Sequence, residues 1–441
     1  MQDFAANLAF DDLPEPVLHI LRRSFADTLG VAAVGSTTPM ARIAATTAAE
    51  IYGPTPVTQS RMMFDGRQVG PAGAAMGGAM LVDSIDAHDG TSFCKGHAGS
   101  ALFPSLLALA DTAELTGSDL AVLLALGYEI SYRAGRTQHA TCADYHTSGA
   151  WTAVGVAAMT ARFLGCDADR IHQAAGIGEY HGPRSQMMRC IDHPTMVRDG
   201  VGWGAPSGIT AGYLAKNGFT GAPALTCQGP FWDGLGDNWL TVSDTHYKPY
   251  PCCRWAHPSL DAVKALMESH QLHHTQVESV QIKTFHNATR LAGHTPITPD
   301  EFAYSIAFPV AAMIVRGQVG VDELAPQTLT DPEILRISRA TTLIDDDHFT
   351  RISDGVRWAQ VDITLTDGTV LSDAPRTPRG DPDAPLSDAE MSTKFHLFSD
   401  PVVGVNTADQ IESLALNFDQ LDAAGVRELL NLVLVKPTPK Q

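Results

Sequence analysis

The feature that most constrains the fold is a change of hydrophobic period near residue 270. From Leu18 to about residue 268, apolar residues recur three or four apart, as at Leu18, Leu21, Phe25 and Leu29. That spacing gathers them on one stripe of a helix. Beyond residue 270, VESVQIKTF and VDITLTDGTVL alternate apolar with polar residues, the period of a strand with one buried face. Thr366-Asp367-Gly368 supplies a hairpin turn between the two halves of the second segment. The 441-residue chain is therefore expected to be mainly α. A large all-helical domain takes residues 1–268 with 399–441, and a smaller α+β lid domain takes 269–398. Within the lid, 299–317 and 331–339 read as helices and the proline-rich 373–385 as a loop. Ser387 with Glu390, and Thr407 with Gln410, read as capping boxes that open the C-terminal helices. GPAGAAMGGAM at 70–80 lacks the glycine spacing of a phosphate loop and reads as small residues that let helices approach closely.

Composition narrows the function. Apolar residues make up 44% and charged residues 18%, enough burial to offset chain entropy in an enzyme-sized protein. Thirty basic residues against 49 acidic give a net charge of −19, which argues against nucleic acid or an acidic membrane surface as partner. No apolar run approaches the ~18 residues of a membrane span. The opening MQDFAANLAFDDLPEP is acidic where a secretory signal is basic, so a cytoplasmic protein is expected. The seven cysteines form no CxxC pair, and reduced thiols are expected rather than disulfides or a cysteine-rich zinc site.

Three histidines share one local context: His97 in GHAGS, His146 in YHTSG and His257 in AHPS, each just ahead of an apolar helical pattern. A helix start offers unpaired N–H groups and the positive end of the dipole. Both attract a carboxylate, and both disfavour imidazolium, which suits a neutral base. Capping of each helix is the plainer use of the same residues. Asp86 and Asp89, in DSIDAHDG, lie three apart and share a face if that segment is helical. They either orient an imidazole or water, or terminate the helix. His88 between them raises an Asp/His metal cluster, but near-consecutive side chains point in different directions, and no metal or other cofactor is expected. HQLHH, with His270, His273 and His274, reads as a solvated loop. Despite the acidic total, Lys95, Arg184, Arg189, Arg198, Lys248 and Arg254 cluster around the histidine-bearing segments. Guanidinium forks beside Ser148 and the histidines suit a small di- or tricarboxylate. No GxSxG elbow or Cys-His motif supports covalent hydrolysis.

In this combination the chain resembles the MmgE/PrpD family, whose members include 2-methylcitrate dehydratase, cis-aconitate decarboxylase and iminodisuccinate epimerase. Five blocks carry the resemblance in order: LPEPVLHILRRSFADTLGVAAVG, DSIDAHDGTSFCKGHAGSALFPSLLALAD, YHTSGAWTAVGVAAMTARFLG, NGFTGAPAL and KPYPCCRWAHPSLDA. It implies a large helical domain completed by C-terminal helices, an α+β lid, a homodimer, and cofactor-independent chemistry between the domains. Asp86 and Asp89 match the family's acidic pair, His97 and His146 its first two active-site histidines, and Lys248 and His257 the cation and histidine of its later block. Arg198 stands where the family usually has a lysine, Ala303 in FAYSI replaces a cation, and Arg184 and Arg189 are additions. Arginine is not deprotonated in proteins, so Arg198 clamps carboxylate rather than moving a proton. The implied activity is a lyase, dehydrating or decarboxylating a small polycarboxylate. His146 or His257 moves the carbon-bound proton, His97 protonates the leaving group or positions substrate, and Arg198, Lys248 and Arg184 hold carboxylates. An epimerase using His146 and His257 on opposite faces of one carbon is the alternative, and a carboxylate-binding protein without chemistry the third reading.

Overall fold

In the computed structural model, residues 1–55 and 58–437 are described. The 3–4 spacing becomes packing at once in helix Glu15–Gly35, where Leu18, Leu21, Phe25 and Leu29 are all buried. Phe25 stacks on Phe103 at 5.0 Å and meets the edge of Phe418 at 5.0 Å. These contacts tie the N-terminal helix to helix Gly99–Ala110 and to the C-terminal segment. Helices Pro71–Asp83, Gly99–Ala110, Gly117–Thr141, Gly149–Phe163 and Val201–Lys216 are buried on most sides and form the middle of this first core. The small residues at 70–80 do let helices close up. A Cβ on Gly78 would sit 2.8 Å from Pro104 Cβ, nearer than real carbons come.

Ser387 and Glu390 form the expected capping box at the start of helix Asp388–Val403. Thr407 does not cap: helix Val405–Leu416 begins two residues before it. Gly404, at φ 81°, ends one helix and starts the next without an intervening turn. The N-terminal half is not wholly helical either. Ser60–Arg61 pairs with Gln68–Val69, and Gly90–Thr91 pairs antiparallel with Thr245–His246. Segments this short carry no period that a sequence could display.

The second core surrounds a four-stranded sheet. Val277–Thr284 runs parallel to Thr341–Asp345 on one side and antiparallel to Ala359–Leu365 on the other. Ala359–Leu365 turns through Gly368, at φ 86°, into Val370–Ser372, the expected hairpin. Ala359, Val361, Ile363 and Leu365 are buried in strict alternation, against helix His257–Ser269, and helix Ala307–Arg316 packs on that helix and on strand Thr341–Asp345. The helical stretch 299–317 is two helices, Pro299–Ala303 and Ala307–Arg316, separated at Tyr304. Helix His257–Ser269 buries Leu260, Val263 and Leu266 in this second core, although the sequence groups it with the first. Helix Asp388–Val403 instead packs along Glu15–Gly35, with Phe395 in the first core. All seven cysteines are free, and no helix among the described residues is long and apolar enough to cross a membrane.

Candidate active site

The segment between helices Pro71–Asp83 and Gly99–Ala110 builds the site. It is held from two sides by buried lysines. Lys248 pairs with the Asp86 carboxylate and donates to the Asp86 carbonyl at 3.0 Å. Lys394, from helix Asp388–Val403, donates to the Ala87 carbonyl at 2.7 Å and to Asp27 Oδ1 at 2.6 Å. Asp86 adopts φ 53°, a left-handed conformation costly for most residues and easier for Asp.

This clamped loop fixes the tautomer of His97. Its Nδ1–H donates to the Asp89 carbonyl at 2.6 Å, which leaves Nε2 as the bare nitrogen, 3.8 Å from Asp199 Oδ2. Ser148 Oγ accepts the His97 backbone N–H at 3.0 Å and donates to Asp199 Oδ1 at 3.0 Å. His97, Ser148 and Asp199 thus form one braced unit, in which Ser148 is fully buried support. The Asp89 carboxyl turns away from the pocket and accepts the Tyr128 hydroxyl at 2.7 Å. Burial pushes the Asp89 pKa up to about 7. His246 arrives on the facing strand, opposite Gly90. A Cβ on Gly90 would lie 2.6 Å from His246 Nε2 and 2.7 Å from His97 Nδ1, so only glycine lets both rings approach.

Burial, reinforced by Lys248, pushes the His97 pKa down against the opposing pull of Asp199 and Asp86. His88 and His246 are driven well down, also chiefly by burial. All three imidazoles are therefore neutral near pH 7. Asp86, His88, His97 and Asp199 each bring one donor atom within 4.8 Å of the others, a set that could hold a metal ion. The sequence expectation of diverging side chains is corrected here, because the strained turn at Asp86 folds the segment back and Asp199 joins from a distant loop. The cation facing Asp86 here is the Lys248 ammonium.

The pocket in front of His97 is partly open to solvent and is lined by Asp86, Asp199, His246, Lys248, Arg254 and Arg357, with Tyr145 and Tyr304. Arg254 donates to Asp381 Oδ1 at 2.6 Å and to His257 Nδ1 at 3.2 Å. His257 Nε2–H donates to the Cys252 carbonyl at 3.1 Å. Both of its nitrogens are engaged and its ring is fully buried, so His257 braces Arg254 from behind and does not line the pocket.

His146 faces a neighbouring open cleft with Arg184, Arg189, Arg198 and His193. Its backbone bridges to Gln186, and its Nδ1 is buried without a partner. Arg184 and Arg189 are exposed. Arg198 is buried, donates to Asp300 at 2.6 Å and lies over the Tyr304 ring at 5.6 Å. The three histidines expected in one hollow are thus dispersed: His97 in the pocket, His146 in the adjoining cleft, His257 behind Arg254. Asp199, His246 and Arg357 were not singled out from sequence. Asp199 follows Arg198 directly and His246 precedes Lys248 by two residues, so their one sequence signal is nearness to the basic residues of those segments. Arg357, in the loop before Ala359–Leu365, had none.

The chain matches the MmgE/PrpD N-terminal domain over residues 1–237 and the MmgE/PrpD C-terminal domain over residues 250–420. The cis-aconitate decarboxylase of Aspergillus terreus is 23% identical, aligned over 98% of this chain and 96% of its own length. A cis-aconitate decarboxylase-like protein of Aspergillus oryzae is also 23% identical, over 98% and 96%. The human cis-aconitate decarboxylase is 22% identical, over 97% and 92%.

Proposed function

The chain belongs to the MmgE/PrpD family, and on that footing we propose that it is a cofactor-independent lyase that breaks a bond next to a carboxylate of a small di- or tricarboxylate. The observation that carries the reading is His97: a neutral imidazole with Nδ1 committed to a backbone carbonyl and Nε2 bare, in a pocket walled by cations. Full-length likeness to cis-aconitate decarboxylases favours loss of CO2 over loss of water.

In such a reaction the electron pair of the breaking C–CO2 bond forms a new alkene, and the far carbon of the old alkene takes a proton. His97 Nε2 first takes that proton from solvent water and then delivers it to carbon, returning to the neutral imidazole as CO2 leaves. Asp199, 3.8 Å away, stabilises the transient imidazolium. Lys248 and Arg254 hold substrate carboxylates and stabilise the charge that spreads onto them as the bond breaks. Asp86 sets the position of Lys248, Asp89 that of His97, and His257 that of Arg254. Arg184, Arg189 and Arg198 draw anions into the adjoining cleft, where His146 meets them. The epimerase alternative needs His257 as a base, and no specific feature of the site favours it. The proposal includes a homodimer, as the family resemblance implies.

The test is to incubate the purified protein with cis-aconitate, citrate, methylcitrate and amino-dicarboxylates in D₂O and to follow the products by NMR. Loss of CO2 from cis-aconitate with one deuterium placed on carbon is expected. Inversion with exchange and no elimination would turn the assignment to an epimerase, and the absence of turnover or exchange with every acid would overturn it.

A further inference from the structure

Arg357 was invisible in the sequence, yet it lines the His97 pocket and is only 5% exposed. Its guanidinium is held by neutral acceptors alone. Nη1 donates to the Ser353 carbonyl at 2.7 Å and the Asp354 carbonyl at 3.2 Å, and Nη2 donates to the Ser92 carbonyl at 3.4 Å. The Phe285 ring lies 5.8 Å from its centre. Every other cation of this pocket has a carboxylate of its own: Lys248 has Asp86, Arg254 has Asp381, and Lys95 lies 3.6 Å from Asp354. Among the described residues, none provides a carboxylate within ion-pair distance of Arg357.

Carbonyl oxygens satisfy N–H groups but do not cancel a charge. A buried guanidinium stays ionised, and a charge removed from water without a counter-charge is costly. Burial already pulls the Arg357 pKa below its ordinary value. The fold nonetheless fixes this group in place. The 353–357 loop of the second core is docked on the 92–95 segment that leads to His97. Arg357 reaches the Ser92 carbonyl, Lys95 meets Asp354, and a Cβ on Gly355 would lie 2.6 Å from Phe93 Cε1. A planar fork held rigidly at a pocket wall, with no protein anion, is complementary to a ligand carboxylate.

Resting on the lyase reading above, we infer that Arg357 is the anchor for a substrate carboxylate remote from the reacting bond, contributed by the second core to a pocket whose base comes from the first. The substrate then carries at least two carboxylates, one at the reacting end near His97 and one on Arg357. It bridges the two cores when bound.

The experiment compares wild type with R357Q and R357K. Calorimetry measures binding of tricarballylate, a saturated tricarboxylate with neither an alkene nor a hydroxyl to lose, and steady-state kinetics uses cis-aconitate. R357Q is expected to raise the Kd of tricarballylate and the KM of cis-aconitate by about 10- to 100-fold, with kcat changed less than tenfold, as loss of a two-point charged contact requires. R357K keeps the charge without the fork and should fall between. Circular dichroism checks the fold, and R357K carries the test if R357Q does not fold. A Kd within twofold of wild type in the folded variant overturns the inference, whether or not turnover occurs. Arginine-dependent binding without turnover of any acid leaves Arg357 as the anchor and removes the lyase. Failure of wild type to bind tricarballylate overturns the inference whatever the turnover.

Discussion

His97 and His257 come from the same local sequence device and end with opposite chemistry. His97 lies two residues ahead of helix Gly99–Ala110 and His257 is the first residue of helix His257–Ser269, and burial pushes both imidazoles toward the neutral form. His97 commits one nitrogen to a backbone carbonyl and keeps the other bare beside Asp199. His257 has both nitrogens taken, by Arg254 and the Cys252 carbonyl. Helix starts decide where an imidazole sits. Donors and acceptors from distant segments decide whether it has a lone pair to trade.

The largest effect tests that difference directly. His97→Gln keeps a polar group of similar size but removes the proton carrier, and kcat should fall by ~10² to 10⁴ with the fold retained. His257→Gln should lower kcat less than about tenfold and act mainly on KM, because it loosens Arg254 rather than touching the reacting atoms. Steady-state kinetics on cis-aconitate measures both. Equal losses of kcat in the two variants would erase the distinction between them.

Next in size is the pH response of Asp89, whose carbonyl holds His97. Burial lifts its carboxyl pKa to about 7 from the ordinary 3.8. The folded protein therefore keeps a proton up to near pH 7 that the unfolded chain releases near pH 4. Stability from this group is complete below the unfolded pKa and is lost as pH rises through the folded one, a change on the order of a few kcal/mol. Asp89→Asn is neutral throughout and should flatten that fall. Melting temperatures at pH 5 and pH 8 are the measurement, and an unchanged slope in the variant would place the proton elsewhere.

Gly90→Ala probes the crowding between His97 and His246. The new methyl must displace one ring, and moving His97 off the Asp89 carbonyl should cost about 10- to 100-fold in kcat, the order expected for a 1 Å misplacement. The same substitution at Gly229, where a Cβ meets nothing within 4 Å, controls for chemistry at the site, although its φ of 96° adds local strain. A Gly90 variant no slower than the Gly229 variant would mean that the two rings have room to spare.

The architecture was legible because its signals are local. The change of period near residue 270 marked helices and sheet, the Asp-Gly turn marked the hairpin, and Ser387 with Glu390 marked a helix start. The site was half legible for the opposite reason. His97, Asp86 and Lys248 lie in motif-bearing segments and do line the pocket. Asp199, His246 and Arg357 are brought in by pairings with no sequence pattern: a serine bridge across 51 residues, a two-residue strand, and a loop contact to Ser92 across 265 residues. His257 and Asp89 hold motif positions, yet their side chains face away from the pocket, since a motif specifies residue order and not the direction in which a buried side chain finds its partner.

The smallest expected effect lies farthest from the bare nitrogen of His97. Arg184 is exposed at the cleft beside the pocket, 3.9 Å from Glu179. An exposed charge adds little to bound-state energy but raises the local concentration of an anionic substrate, an effect that salt screens within about 10 Å at 0.1 M. Arg184→Ala should therefore lower kcat/KM by less than about threefold at low ionic strength and by nothing measurable at 0.5 M salt. The pocket cations should behave differently, because Lys248 and Arg254 are buried and their pairs are shielded from mobile ions. A loss in Arg184→Ala that persists at high salt would move this arginine from the approach to the bound state, and with it the boundary between the two cavities.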